Sequence, residues 1–212
     1  MSQRLQAEEH LRVIRSLMEK ATIYRAISAP AALIGGLLAV IGATVLNFDP
    51  SPSRFLETWL VVLVLAALSN LAFLYRAARL RQERFFSPGM RLALVAMAPG
   101  LLSAAFLTIA FGRGSGVMWL PFFWMLCYAL ALLSTTHFAP RSIAILGWCF
   151  LSSALVLHFI PFPRWFGGDV GQSGFIKGCN HVMGVTFGLY HLIYAACTWP
   201  RKTQSATPPT VG

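Results

Sequence analysis

Residues 27–46 read ISAPAALIGGLLAVIGATVL, twenty positions without one Asp, Glu, Lys or Arg. Wound as a helix at about 1.5 Å per residue, they reach about 30 Å, the thickness of a bilayer's hydrocarbon core. A helix keeps every backbone N–H and C=O hydrogen-bonded where no water is present to do so. Working outward, apolar runs at about 57–75, 92–111, 117–136, 142–161 and 177–198 also have interiors free of those four residue types. The expected fold is all-α, a polytopic membrane protein with six transmembrane helices over 27–199. An amphipathic cytoplasmic helix within 1–26 precedes the bundle, and a disordered Ser-, Thr- and Pro-rich tail, 200–212, follows it.

Of the 212 residues, 17 are Lys or Arg and 7 are Asp or Glu, for a net charge of +10. Threaded through six spans, thirteen of the basic residues fall on one side: five before residue 26, five between Arg76 and Arg91, then Arg141, Arg201 and Lys202. Arg54, Arg113, Arg164 and Lys177 fall on the other. Short loops rich in Lys and Arg stay in the cytoplasm, so both termini are expected there, in a bacterial inner membrane. Orientation and anionic headgroups account for the charge, so the expected partner is the lipid bilayer and no nucleic acid is implied. Trp59, Trp119 and Trp165 are placed at the outer membrane edge and Trp199 at the inner one, where indoles settle. About 25 charge-rich residues, including Glu8, Glu9 and Glu19, precede the first span, which argues for an uncleaved anchor over a signal peptide. Cys127, Cys149, Cys179 and Cys197 have no CxxC spacing and read as apolar fillers rather than a disulfide or zinc framework.

Within 3–25, Leu11, Ile14, Met18 and Ala21 share one helical face, while Arg12, Arg15, Glu19 and Lys20 take the rest. Such a helix lies along a membrane surface or docks on a partner, with Leu11, Ile14, Met18, Arg12 and Arg15 as the contact residues. In the first span, Ser28, Ala32 and Gly36 form one small-residue row and Gly35, Ala39 and Ala43 another, which predicts close helix contacts and a central position. Pro99 and Pro121 lie inside predicted spans and are expected to kink them.

Buried ionisable groups mark function in membranes, and here the span interiors hold only histidine. That argues against a coupled transporter or pump. His158 lies on the fifth span, and His181 and His191 on the sixth. Ten residues make about 1000° of helical rotation, 80° short of three turns, so His181 and His191 are expected to flank one face. Gly184 and Gly188 lie between them as a packing groove. His158 and His181 fall at similar depth, so the three histidines are the speculative cofactor-binding residues, for haem or a metal ion; with the spacing unspecific, no cofactor is the first expectation. Asn70 is expected to bond a neighbouring helix, and Ser134, Thr135, Thr136 and His137 to satisfy the carbonyls ending the fourth span. No nucleotide loop, GxSxG elbow, HExxH or carboxylate pair occurs, and no catalytic residue is predicted.

Both ends of the chain carry a likeness. Leu11-Arg12-Val13-Ile14-Arg15 with Met18-Glu19 and Thr22, and Gly188-Leu189-Tyr190-His191-Leu192-Ile193-Tyr194-Ala195, resemble a group of uncharacterised bacterial six-span inner-membrane proteins. Those proteins begin with an LRxIRxxMExxT-like segment and end with a GxxHxxYA-like one. They are often encoded near winged-helix transcriptional regulators, so the resemblance implies a regulatory or sensory context and singles out His191 over His158. The resulting expectation is a non-enzymatic membrane component with a cytoplasmic protein partner. The alternatives are a haem- or metal-binding redox subunit using the span-six histidines, and a facilitator for a small neutral or apolar solute.

Overall fold

A computed structural model describes residues 8–14, 29–80, 82, 85–86, 88–159 and 171–199, and every regular element among them is helical. A short helix α1 covers 8–14. Then follow α2 (Ala29–Leu46), α3 (Pro52–Leu80), α4 (Pro88–Phe111), a 3₁₀ segment Gly114–Trp119, α5 (Leu120–Leu133), α6 (Arg141–Phe159), α7 (Gln172–Met183), a π-helical segment Gly184–Leu189, and α8 (Tyr190–Thr198). Among the described residues, five helices are long and apolar enough to cross a membrane: α2, α3, α4, the run Gly114–Leu133, and α6. The predicted sixth span, 177–198, falls on α7, the π segment and α8. Arg15, Met18 and the tail 200–212 lie outside the described residues.

Proline marks the helix starts. Pro30, Pro52, Pro88 and Pro121 sit in the first turns of α2 to α5, where a missing N–H costs nothing because the first amides have no helical acceptor. Ser51 completes the start of α3 by accepting the Arg54 amide at its hydroxyl. Pro121 therefore begins α5 and does not kink it, because the chain enters through the 3₁₀ turn. Among the described residues, Pro99 is the one proline inside a helix, within α4. The spans predicted at 57–75 and 92–111 extend at their starts, to Pro52 and Pro88, since the flanking polar residues also hold helical geometry.

Neighbouring helices pack in the order α3, α2, α7–α8, α6, α5, α4. α2 is central, as its small residues predict, but its contact rows run at i, i+7: Gly35 and Gly42 meet Ala66 and Val62 of α3, while Gly36 and Ala43 meet the π segment and α8. One core gathers Phe150, Met125, Ala129, Ile143 and Val182; the other gathers Phe55, Trp59, Leu120, Ile176 and Met183. Trp59 is thus a core residue rather than an exposed indole, because it follows Phe55 by one helical turn on the inward face. Trp119 and Trp199 are exposed. The four cysteines are free thiols, Cys127 and Cys179 buried and Cys149 and Cys197 exposed.

Candidate functional site

The glycine groove on the last helix exists, and α2 fills it. A Cβ on Gly184 would stand 2.8 Å from that of Ala43, and one on Gly188 would stand 2.8 Å from Cγ2 of Val40. From the other side, a Cβ on Gly36 would meet Leu192 at 2.9 Å and the Gly188 carbonyl at 3.0 Å. The two backbones approach as closely as small residues allow. A flat macrocycle has no room on this face.

The two span-six histidines do not share a face. A π-helical segment acts as a one-residue insertion in the helical register, so everything after it is rotated by about 100° from the ideal periodicity. The 1000° between His181 and His191 becomes about 900°, half a turn out of phase. His181 is accordingly exposed, its Nδ1 donating to the Lys177 carbonyl at 2.7 Å, while His191 turns inward. Within the wide turn the buried Thr186 hydroxyl donates to the Val182 carbonyl at 2.8 Å.

His191 enters a box of aromatic side chains from three helices. Phe150 of α6 lies fully buried at its centre, 4.9 Å from the Tyr128 ring of α5, 4.8 Å from Phe187, 5.6 Å from Tyr190 and 5.7 Å from His191. The Phe187 carbonyl can only accept, so Nδ1 of His191 donates to it at 2.9 Å. In the neutral ring Nε2 is then an acceptor, and the Tyr128 hydroxyl donates to it at 2.9 Å. Beside this pair, the Ser153 hydroxyl donates to the Cys149 carbonyl at 2.8 Å, which leaves its oxygen to accept from Tyr190 at 2.8 Å. The arrangement joins α5, α6 and α8 by interhelical polar bonds and holds a Tyr–His pair deep in the bundle. For His191 to ligate a metal, Nε2 would have to give up Tyr128.

His158 packs its exposed ring against Trp119, Phe122 and Phe159, with ring centres 6.5, 5.1 and 5.3 Å away. It belongs to α6, which meets the last helix through α8 and not along α7, the element that carries His181. The three histidines predicted as one ligand group are therefore dispersed. Tyr128, Phe150 and Ser153 escaped the sequence reading. A hydroxyl inside an apolar span was the available signal for Tyr128 and Ser153; nothing in the sequence distinguishes Phe150 from the other phenylalanines.

A second polar junction lies nearer the start of α7. Asn180, 1 % exposed, donates from Nδ2 to the Ala43 carbonyl and, at 3.0 Å, to Oδ1 of Asn47. Of the four residues expected to close α5, Ser134 and Thr135 reach its carbonyls: Thr135 donates to the Leu132 carbonyl at 2.6 Å, and the Ser134 oxygen lies 2.8 Å from both the Ala131 and Ala96 carbonyls. Asn70 is half-buried on α3. Leu11 and Ile14 on α1 are both exposed. Comparisons with protein-family models, curated proteins and solved structures find no match to this chain.

Proposed function

We propose that the chain crosses a bacterial inner membrane six times with both termini in the cytoplasm, and that it serves without catalysis as an anchoring or regulatory component for a cytoplasmic protein partner. The observation that carries the reading is the distribution of basic residues, thirteen on one side of the six-span thread and four on the other. The sixth crossing is supported by residues 178–198, which hold no Asp, Glu, Lys or Arg and reach about 31 Å as a helix. The 29 residues of α3 reach about 44 Å, so its Arg76 and Arg79 end stands beyond a hydrocarbon layer of about 30 Å. Exposed Leu11 and Ile14, next to Arg12, supply an apolar face with a basic flank for docking. The likeness of the two chain ends to six-span inner-membrane proteins agrees with a regulatory setting.

Two measurements test this. In a cysteine-free background, a cysteine at position 82 should be protected from an impermeant reagent in intact cells and one at 171 labelled; the reverse pattern overturns the orientation. Photo-crosslinkers at positions 11 and 14 should give a discrete protein adduct in intact cells. Lipid adducts alone would overturn the partner and leave a membrane-surface anchor.

A further inference from the structure

α3 packs chiefly on α2, and only 6 % of its apolar window is buried, against 44 % for α2. Between Glu57 and Arg76 it carries no charged side chain over a rise of about 28 Å, close to the thickness of the hydrocarbon layer. Asn70 lies inside that stretch, about 9 Å along the axis from Arg76. Its side chain is too short to reach the headgroups from there, as the long stems of Lys and Arg can.

Two asparagines in apolar segments behave differently. Asn180 donates from its amide to the Ala43 carbonyl and to Asn47, and so ties α7 to α2. Asn70 is half-buried, and among the described residues its amide meets no hydrogen-bond partner. The carbonyl one turn back offers none. That carbonyl, of Ala66, accepts the Asn70 backbone N–H in the helical ladder and the Ser69 hydroxyl at 2.8 Å, which uses both its lone pairs. An unpaired amide is costly in hydrocarbon, and acyl chains offer it neither donor nor acceptor.

The residues around Asn70 form a seam. Leu60, Leu63, Ala67, Asn70, Leu74 and Ala77 follow alternating three- and four-residue steps, the spacing that holds one stripe of a helix against a partner helix. Leu60, Leu63 and Ala67 are exposed, Leu63 to 62 %, and the other three are half-buried. α2 covers the adjacent stripe, where Val62 and Ala66 meet Gly42 and Gly35. A further helix can therefore lie along the seam without displacing α2.

Lipid tails can cover the leucines of this seam but not satisfy its amide. A second copy can do both, because an amide carries a donor and an acceptor and is its own complement. Copies inserted in the same direction hold Asn70 at the same depth, and a two-fold axis along the membrane normal brings each against the other. We propose that the protein forms a parallel dimer in the membrane through this seam of α3, with the two Asn70 side chains hydrogen-bonded to each other. The proposal rests on the membrane reading above, but on neither the cytoplasmic partner nor the orientation, since equal depth holds whichever end faces inward.

Two experiments on the full chain test it. In a cysteine-free background within the native membrane, Ala67→Cys should give a disulfide-linked dimer on oxidation with copper phenanthroline. Leu68→Cys, at a position 57 % exposed on another side of α3, should not. No dimer from Ala67→Cys, or equal yields from the two variants, would overturn the seam. Energy transfer between copies labelled at Gln82→Cys and diluted in liposomes then reads the association. Asn70→Leu should weaken it by about tenfold, the effect of two interhelical bonds, and Asn70→Gln, which keeps the amide, should restore most of it. A wild type that is monomeric at every dilution, or an Asn70→Leu variant that associates as well as the wild type, would overturn the proposal. Alkaline extraction of the wild type from its membrane would instead sink the membrane reading itself, so the two failures remain distinguishable.

Discussion

α2 and α4 are equally apolar, and both are rich in Ala and Gly, yet 44 % of the α2 window is buried and none of the α4 window. Hydropathy measures compatibility with lipid and does not tell a helix which of its neighbours is protein. What separates the two is the number of close-approach faces. α2 has one toward α3, through Gly35 and Gly42, and another toward the last helix, through Gly36 and Ala43. Among the described contacts α4 has a single one, where Gly100 comes against Cys127 and Ala131 of α5. A helix with two such faces becomes central and a helix with one becomes peripheral.

The most severe way to break this comparison is a matched pair of small-to-large changes. Gly36→Leu must displace Leu192 and the Gly188 carbonyl, so it should cost about 3 kcal/mol, the upper end of overpacking penalties, whereas Ala110→Leu on the exposed side of α4 should stay within about 0.5 kcal/mol. Reversible unfolding in mixed micelles checks both; similar losses would refute the distinction between the two helices.

Less is at stake in the Tyr–His pair that ties α5 to α8. His191→Ala should cost on the order of 1 kcal/mol, as interhelical bonds in membranes do. In a double-mutant cycle with Tyr128→Phe, the two losses should overlap by most of that amount, since either change removes the same bond. Additive losses would show that the 2.9 Å contact contributes nothing in the folded protein.

Smaller again is the effect expected at Trp124 of α5, which stacks on Phe55 of α3 at 6.1 Å and donates from Nε1 to the Thr108 hydroxyl of α4 at 2.8 Å. Trp124→Phe keeps the stacking on Phe55 and loses only the bond to Thr108, for about 0.6 kcal/mol. Its sharper readout is distance: spin labels at the Thr108 ends of α4 and the Phe55 end of α3 should move apart in the variant and stay fixed in the wild type. The smallest effect belongs to Leu102→Ala, at a position 69 % exposed, where unfolding should shift by less than about 0.5 kcal/mol. A large loss there would show that α4 has a protein neighbour in the membrane.

Much of this architecture was readable in the chain. The apolar runs, the prolines and the small-residue content of 27–46 point to helices of bilayer length and to a central first span. The distribution of Gly184 and Gly188 points to a close contact, which α2 supplies. The assembled histidine group was the part that misled. Ideal 100° steps put His181 and His191 on one face, and a six-residue wide turn between them, invisible in residue types, set them on opposite ones.

The sequence by itself determined the class of this protein, because backbone hydrogen bonding in lipid leaves a twenty-residue apolar run almost no choice but a helix. It also determined where the basic residues cluster along the chain, with five arginines between Arg76 and Arg91. Tertiary structure alone decided which equally apolar helices are inside, that His191 pairs with Tyr128, and that α3 packs chiefly on α2 and α4 chiefly on α5. These outcomes depend on how faces from distant segments fit together, and a local departure in helical register is enough to change which side chains meet.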